Sequence, residues 1–283
     1  MSRPHLRSTL YHNGSQRLAV SFGGAEDAPG VVFLHGGGQT RHAWSASAGR
    51  IQSAGYRVVS MDLRGHGDSD WAIDADYRIE TQVGDLLAVL RRLPRPPVLV
   101  GASLGGLIAL NTLARHPYCA VALVLVDVAP KVDRQGAERI RAFMQANPQG
   151  FASYAEAAEV IARYLPHRPK PKDLSGLQRN LRLRDGRYYW HWDPRLFSSL
   201  DSTPQTLPSR HELAAAAITQ PTLLIRGSRS ELVGEEHVRH FLKLMPHARY
   251  INVLDAGHMV AGDSNETFTH ALLGFLTEVH PPA

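Results

Sequence analysis

Short apolar runs alternate with helix-length segments along the first half of the chain, and this alternation restricts the fold more than any other feature. Four runs are rich in β-branched residues, and they lie at residues 31–34, 56–61, 98–100 and 121–126. Strands that are apolar throughout are typical of a parallel sheet covered by helices on both faces. In the segment at residues 81–93, apolar positions recur every three or four residues, which marks one face of a helix. The pattern predicts an α/β fold with a doubly wound sheet.

The alternation stops in the second half of the chain and then resumes. Residues 130–217 contain two helix-like segments, a stretch rich in Pro and Arg, and an aromatic cluster, but they show no strand pattern. Strand-like runs return at residues 223–226 and 250–254. We therefore expect one α/β core formed by residues 1–129 and 218–283, with the intervening segment forming a helical cap or lid.

The run GASLGG, at residues 101–106, stands between a predicted strand and a predicted helix. It contains the pattern G-x-S-x-G, in which a nucleophile on a sharp strand-to-helix turn is held in an unfavourable backbone geometry. Gly101 and Gly105 lack the β-carbons that would prevent this close approach. The helix that follows directs free N–H groups towards developing negative charge. We predict Ser103 as a catalytic nucleophile.

A second glycine-rich run, HGGG at residues 35–38, follows an earlier predicted strand. Acyl transfer requires two donors for the oxyanion of the tetrahedral intermediate, and the N–H of Leu104 supplies only one of them. We predict the N–H of Gly37 as the second donor, with that of Gly38 as the alternative. No phosphate-binding glycine pattern is present, and His35 is expected to brace the loop.

His258 lies between the last predicted strand and the last predicted helix, at the sheet edge where Ser103 is expected. Histidine suits a general base because imidazole titrates near neutral pH. Two carboxylates follow strands from which they could reach this ring. Glu231 comes four residues after Gly227, and Asp127 ends the strand at residues 121–126. We favour Glu231 as the acid that orients His258, with Asp127 as the alternative.

Together these motifs resemble those of the α/β-hydrolase superfamily, over nearly the whole chain. In chain order they are HGGG at 35–38, DLRGHGDS at 62–69, GASLGG at 101–106, GSRSE at 227–231 and GH at 257–258. The resemblance implies an eight-stranded, mostly parallel sheet, a lid formed by residues 130–217, and no cofactor. Relatives commonly carry Asp where Glu231 stands. Members similar to epoxide hydrolases or haloalkane dehalogenases use Asp as the nucleophile, so Ser103 argues against both activities.

The predicted reaction is hydrolysis of a carboxylic ester, or a related acyl bond, of a small, largely apolar substrate through an acyl-enzyme. Phe143, Trp190 and Trp192, in the predicted cap, are the candidate residues of an apolar substrate pocket. One alternative is a carbon–carbon bond hydrolase or lactonase with the same triad, because arginines of the insertion would suit an anionic substrate. The other is a non-catalytic receptor for a small ligand on the same fold.

The composition argues against several other classes of protein. The 283-residue chain has a net charge of +5 without a run of five like charges, so nucleic-acid binding is not expected. Its 15 histidines show no metal-binding spacing, and the single cysteine, Cys119, excludes an intramolecular disulfide. Neither a membrane-spanning stretch nor the apolar core of a secretory signal is apparent. We expect a cytoplasmic enzyme with a small-molecule substrate and no metal, nucleic-acid or membrane partner.

Overall fold

A twisted sheet of eight strands forms the centre of the computed structural model, which describes residues 6–165, 175–197, 209–263 and 265–282. The strands in these ranges are β1 (Arg7–Asn13), β2 (Gln16–Gly23), β3 (Gly30–Leu34), β4 (Arg57–Met61), β5 (Val98–Ala102), β6 (Ala122–Val126), β7 (Leu181–Arg184), β8 (Arg187–Trp190), β9 (Thr222–Gly227) and β10 (Arg249–Val253). The order across the central sheet is β1-β2-β4-β3-β5-β6-β9-β10. Along this order, all neighbouring strands from β4 to β10 are parallel to each other, whereas β2 is antiparallel to both β1 and β4. The predicted doubly wound, mostly parallel sheet is confirmed.

Helices cover both faces of this sheet. The α-helices in the described ranges are α1 (Ser45–Ser53), α2 (Ile79–Leu90), α3 (Leu104–Arg115), α4 (Arg134–Gln145), α5 (Tyr154–Tyr164), α6 (Arg210–Ala217), α7 (Glu235–Leu244), α8 (Val260–Asp263) and α9 (Asn265–Val279). Side chains of α1 and α9 pack on one face, and those of α2, α3, α6 and α7 pack on the other. Within the described ranges, no helix is both long enough and apolar enough to cross a membrane.

The apolar strands explain why both faces need a helical layer. In β3, Val31 and Phe33 belong to the apolar cluster under α1 and α9, whereas Val32 and Leu34 belong to the cluster on the opposite face. Side chains of a strand alternate between the two faces of a sheet. A strand that is apolar at every position therefore has to be buried on both sides, as the sequence pattern predicted.

The predicted cap has an apolar cluster that also includes Ala72 and Tyr77 of the core, and it is not purely helical. It contains α4 and α5 together with the antiparallel hairpin β7–β8. The prediction of a helical cap is wrong in this respect. The turn between the two strands is Asp185-Gly186, and both residues have positive φ angles, of 48° and 75°. Asp-Gly flanked by strand-forming residues is a strong hairpin signal, because this tight turn requires positive φ at both central positions.

The last helix of the predicted insertion, α6, packs on the core. Ala215 belongs to the apolar cluster shared with α2 and α3, and Asn111 of α3 hydrogen-bonds the ring of His211 over 2.9 Å. Ser209 and Glu212 form a capping box that begins the helix. We therefore place the end of the cap before Arg210 and not at residue 217.

Candidate active site

Ser103 occupies the turn between β5 and α3, where its backbone is strained. Its φ angle is 46° and its ψ angle is −117°, a conformation that L-residues rarely adopt and that costs about 1–3 kcal/mol. The turn also brings main chains very close together: a β-carbon on Gly101 would lie 2.5 Å from the carbonyl oxygen of Gly105. The Ser103 N–H donates to the carbonyl of Val126 over 3.2 Å, and the residue is partly exposed. This turn therefore places Ser103 beside the carboxyl end of β6.

The residue after β6 is Asp127, and its carboxylate contacts the imidazole of His258. The distance between Asp127 Oδ2 and His258 Nδ1 is 2.6 Å, although the two residues are 131 positions apart. Asp127 is completely buried, and His258 is about a quarter exposed. A carboxylate can only accept here, so Nδ1 carries the hydrogen and Nε2 of the neutral ring is left as the basic nitrogen.

His258 follows β10 and reaches Asp127 across the end of the intervening strand, β9. The last residue of β9 is Gly227, and a β-carbon there would lie 2.3 Å from the carbonyl oxygen of Gly257. The absence of a side chain at this position lets the loop that carries His258 pass close over the strand. Asp127 accepts from the Gly227 N–H through Oδ1 at 3.0 Å. Ser103 and His258 are thus both held beside the carboxyl end of β6.

Glu231, which the sequence analysis favoured as the acid, lies away from this pair. Its side chain is 68% exposed and forms an ion pair with Arg139 of α4, with 3.0 Å between Arg139 Nη2 and Glu231 Oε2. The chain turns after β9 so that Ser230, and not Glu231, faces Asp127. The carboxylate that contacts His258 is therefore that of Asp127, the alternative acid, and not that of Glu231.

The loop at residues 35–38 approaches the nucleophile turn. A β-carbon on Gly36 would lie 3.3 Å from the Ser103 Cβ. The N–H of Gly38 donates to His66 Nε2 over 3.2 Å, so this alternative oxyanion donor is already engaged. Within the described part of the chain, neither Gly37 nor Leu104 uses its N–H in a hydrogen bond. These two donors remain available for a ligand.

Three buried histidines brace the loop at residues 35–38. His35 Nε2 accepts from the N–H of Leu63 at 3.0 Å, and its Nδ1 donates to the carbonyl of Gly36. His66 receives the Gly38 N–H described above. His191, from the cap, donates to the Gly38 carbonyl over 3.3 Å and accepts from a main-chain N–H in the loop at residues 62–69. The cap therefore supports the loop that carries Gly37.

Burial keeps these three rings neutral. It lowers the pKa of His35 to about 4 and that of His66 to about 3, and it holds the pKa of His191 well below its ordinary value. The neutral form is required, because each ring accepts a hydrogen bond through one nitrogen and donates through the other. Among the residues that the structure describes, no group of three His, Cys, Asp or Glu side chains is placed to hold a metal ion.

An aromatic cluster of the cap closes over the same loop. Trp190 and Trp192 stack with ring centroids 4.7 Å apart, and the Phe143 ring lies 5.8 Å from that of Trp190. Met144 Sδ lies 3.4 Å from the place where a β-carbon on Gly37 would stand. Trp192 approaches the neighbouring Gly38 equally closely. The three predicted pocket residues are therefore together, but Trp192 is the one that reaches the loop.

Comparison with known proteins shows the family to which the chain belongs. A sequence profile described as the α/β hydrolase fold matches residues 29–264, which include every position of the site. The chain belongs to the α/β-hydrolase family. It is 30% identical to esterase Rv0045c from Mycobacterium tuberculosis, over 91% of this chain and 85% of that protein. It is 32% identical to the sn-1-specific diacylglycerol lipase ABHD11 of Mus musculus, over 95% of this chain and 89% of that protein.

Solved structures share the α/β-hydrolase fold over almost the whole chain. The crystal structure of esterase Rv0045c from Mycobacterium tuberculosis has a TM-score of 0.74 at 28% identity and covers 96% of this chain and 92% of its own. That of E-2-(acetamidomethylene)succinate hydrolase has a TM-score of 0.85 and covers 96% and 99%, but at 23% identity it shows the fold alone. The chain is thus an enzyme, a carboxylesterase-like serine hydrolase. The alternative of a non-catalytic receptor is set aside.

Three arginines in the cap hairpin of the hydrolase have structural partners. Arg182 pairs with Asp68 over 2.9 Å, and Arg184 lies over the ring of Trp71 with 4.6 Å to its centroid. Arg187 donates to two main-chain carbonyls of the cap. These contacts fasten the hairpin β7–β8 to its surroundings, and they weaken the argument that these arginines bind an anionic substrate.

Several residues of the hydrolase site were not predicted from the sequence. His66 lies in the motif at residues 62–69, which was recognised without a role for this ring. His191 and Met144 come from the cap, and no local pattern distinguishes them from packing residues. Ser230 lies in the turn where an acid was expected, and the sequence analysis favoured its neighbour Glu231 as that acid. Only the tertiary contacts reveal these residues.

We predict that the free energy of unfolding decreases as the pH falls from about 6.5 towards 4. An unfolded histidine takes up a proton near pH 6.5, whereas the pKa values of His35 and His66 are about 4 and about 3 in the folded hydrolase. Between these values the unfolded chain binds more protons, so this contribution is fully present above pH 6.5 and is lost on acidification. At pH 5, His66→Gln should reduce the slope against pH by about 1.4 kcal/mol per pH unit.

Urea unfolding between pH 4.5 and 7 measures this slope. His116→Gln is the control for replacing a histidine outside the buried cluster, because His116 is exposed at the end of α3. The same slope in the wild type and in His66→Gln would show that His66 is already protonated in the folded hydrolase.

Proposed function

We propose that this hydrolase cleaves carboxylic esters of small, largely apolar acyl groups through an acyl-enzyme on Ser103. The observation that carries the proposal is the hydrogen bond between the buried Asp127 and the partly exposed His258, at the end of β6 beside the strained turn of Ser103. A nucleophile, a base and an orienting acid placed in this way form the catalytic triad of serine hydrolases. The relatives named as an esterase and a diacylglycerol lipase support an ester as the scissile bond.

In the proposed mechanism, Ser103 Oγ attacks the ester carbonyl and His258 Nε2 takes its proton. Asp127 holds the imidazole in the required tautomer and stabilises the imidazolium that forms. The N–H groups of Leu104 and Gly37 receive the oxyanion, and the start of α3 adds its positive dipole end. His258 then gives the proton to the leaving alcohol. In the second half, it activates a water molecule that releases the acid.

The cap supports a preference for small acyl groups. Met144 lies against Gly37, which carries one of the proposed oxyanion donors, and both Met144 and Trp192 lie against the neighbouring Gly38. Trp192 Nε1 donates to the carbonyl of Met144 over 3.2 Å, which holds the two residues together. Acyl chains that enter beside Gly37 therefore meet an apolar, closely packed wall. Short apolar groups fit such a wall with the least displacement of the cap.

The experiment compares p-nitrophenyl esters from acetate to dodecanoate and a vinylogous diketo acid as substrates. We expect the highest kcat/KM for short acyl chains and negligible turnover of the diketo acid. Ser103→Ala should reduce ester hydrolysis about 10⁴-fold or more. Turnover of the diketo acid alone would favour the carbon–carbon bond hydrolase, and an active Ser103→Ala protein would contradict the acyl-enzyme.

A further inference from the structure

The hydroxyl of Ser230 is directed at the acid of the proposed triad. Ser230 Oγ lies 2.5 Å from Asp127 Oδ2, the same carboxylate oxygen that contacts His258. Ser230 belongs to the turn after β9, in which Glu231 was expected to provide the acid. This turn contributes a hydrogen-bond donor to the acid, while the acid itself comes from the end of β6.

The hydrogen-bonding capacity of the hydroxyl group fixes the direction of this contact. Ser230 Oγ accepts from the N–H groups of Leu232 and Val233, each at 3.1 Å. A hydroxyl has two acceptor lone pairs and one hydrogen. Because both lone pairs are engaged by main-chain donors, the hydrogen points to Asp127. Ser230 therefore donates a hydrogen bond to the carboxylate and does not accept one from it.

The carboxylate of Asp127 is surrounded by three donors. Oδ1 accepts from the Gly227 N–H, and Oδ2 accepts from both Ser230 and His258. The group is completely buried, so these contacts replace the water that would otherwise solvate its charge. Among the residues that the structure describes, removing Ser230 Oγ would leave Oδ2 with one side-chain donor, His258, and would allow the carboxylate to rotate.

We propose that Ser230 is a positioning residue that holds Asp127 in the orientation required to align His258. This inference rests on the proposed function, because it assumes that Asp127 is the acid. Ser228, in the same turn, provides a matched comparison: its hydroxyl accepts from the Asp255 N–H at 3.0 Å, on the surface. A position in this turn is therefore not sufficient to bring a serine hydroxyl into contact with the Asp127 carboxylate.

The test is a double-mutant cycle on kcat/KM for p-nitrophenyl butyrate, with the melting temperature of every variant measured in parallel. Ser230→Ala should reduce kcat about tenfold with little change in KM, because a hydrogen bond to a charged group is lost. Ser230→Thr, which keeps the hydroxyl, should stay within about threefold of the wild type. Ser228→Ala should match the wild type. If Ser230→Ala does not fold, Ser230→Cys replaces it, since a thiol is only a weak donor.

In the cycle, Ser230→Ala should have less than about a twofold effect when Asp127 is already Asn, because Ser230 acts through that carboxylate. An equal loss in both backgrounds would overturn the inference and leave Ser230 a purely structural turn residue. Wild-type activity of Ser230→Ala beside an inactive Asp127→Asn would also overturn it, without affecting the triad. An active Asp127→Asn would instead contradict the proposed function.

Discussion

Replacing Asp127 with Asn should reduce kcat/KM for a short aryl ester about 10⁴-fold, as expected when the acid of a serine hydrolase triad loses its charge. Three donors face the carboxylate, from Gly227, Ser230 and His258. An amide has only one accepting oxygen, so at least one donor loses its acceptor. An amide N–H turned towards His258 would also favour the wrong tautomer of the ring.

Glu231→Gln is the matched control for this prediction. Glu231 forms an exposed ion pair with Arg139, and such pairs contribute little to stability. The kcat/KM of Glu231→Gln should therefore stay within about twofold of the wild-type value. Steady-state kinetics of both variants, with melting temperatures to confirm folding, make the comparison. A large loss in Glu231→Gln beside an active Asp127→Asn would restore the original sequence interpretation.

Replacing Asp85 with Ala should reduce the free energy of unfolding by about 3–5 kcal/mol, because it leaves a buried guanidinium without its carboxylate. Asp85 lies on α2 and accepts two hydrogen bonds from Arg64, at 2.5 and 2.8 Å. Both side chains are less than one-tenth exposed. Arg64 belongs to the loop at residues 62–69, which also carries His66 and contacts the cap. Loss of the Arg64–Asp85 pair should therefore also weaken the contacts that support the loop at residues 35–38.

Urea unfolding of Asp85→Ala and Glu278→Ala measures this effect. The ion pair of Glu278 with Arg249 is more than half exposed on both sides, so its removal should leave the unfolding free energy close to that of the wild type. Similar losses in the two variants would show that the Arg64–Asp85 pair does not anchor the loop.

The fold was predictable because its signals are local. Each buried strand appears as a short apolar run, and α2 buries Ile79, Val83, Leu86 and Leu90 at helical spacing. The hairpin β7–β8 was missed although Asp185-Gly186 marks its turn, because the segment is rich in arginine and shows no apolar run typical of a buried strand. Arg182, Arg184 and Arg187 do contact other parts of the protein, and these contacts could not be predicted from their spacing.

The acid could not be chosen from the sequence, because the choice depends on contacts between distant segments. Asp127 and Glu231 both follow strands that end at the same edge of the sheet. The decisive features are the passage of the His258 loop over Gly227 and the direction in which the turn after β9 points its side chains. Asp127 also has a positive φ angle of 48°, which no residue-level pattern indicated.

The central claim is that Ser103 is a nucleophile activated by the pair His258 and Asp127. Mass spectrometry after reaction with a fluorophosphonate tests it most directly, because the adduct marks the reactive hydroxyl. We predict a single adduct on the peptide that contains Ser103, formed far more slowly in Asp127→Asn and absent in Ser103→Ala. An adduct on a different residue, or labelling of Asp127→Asn at the wild-type rate, would contradict the proposed triad.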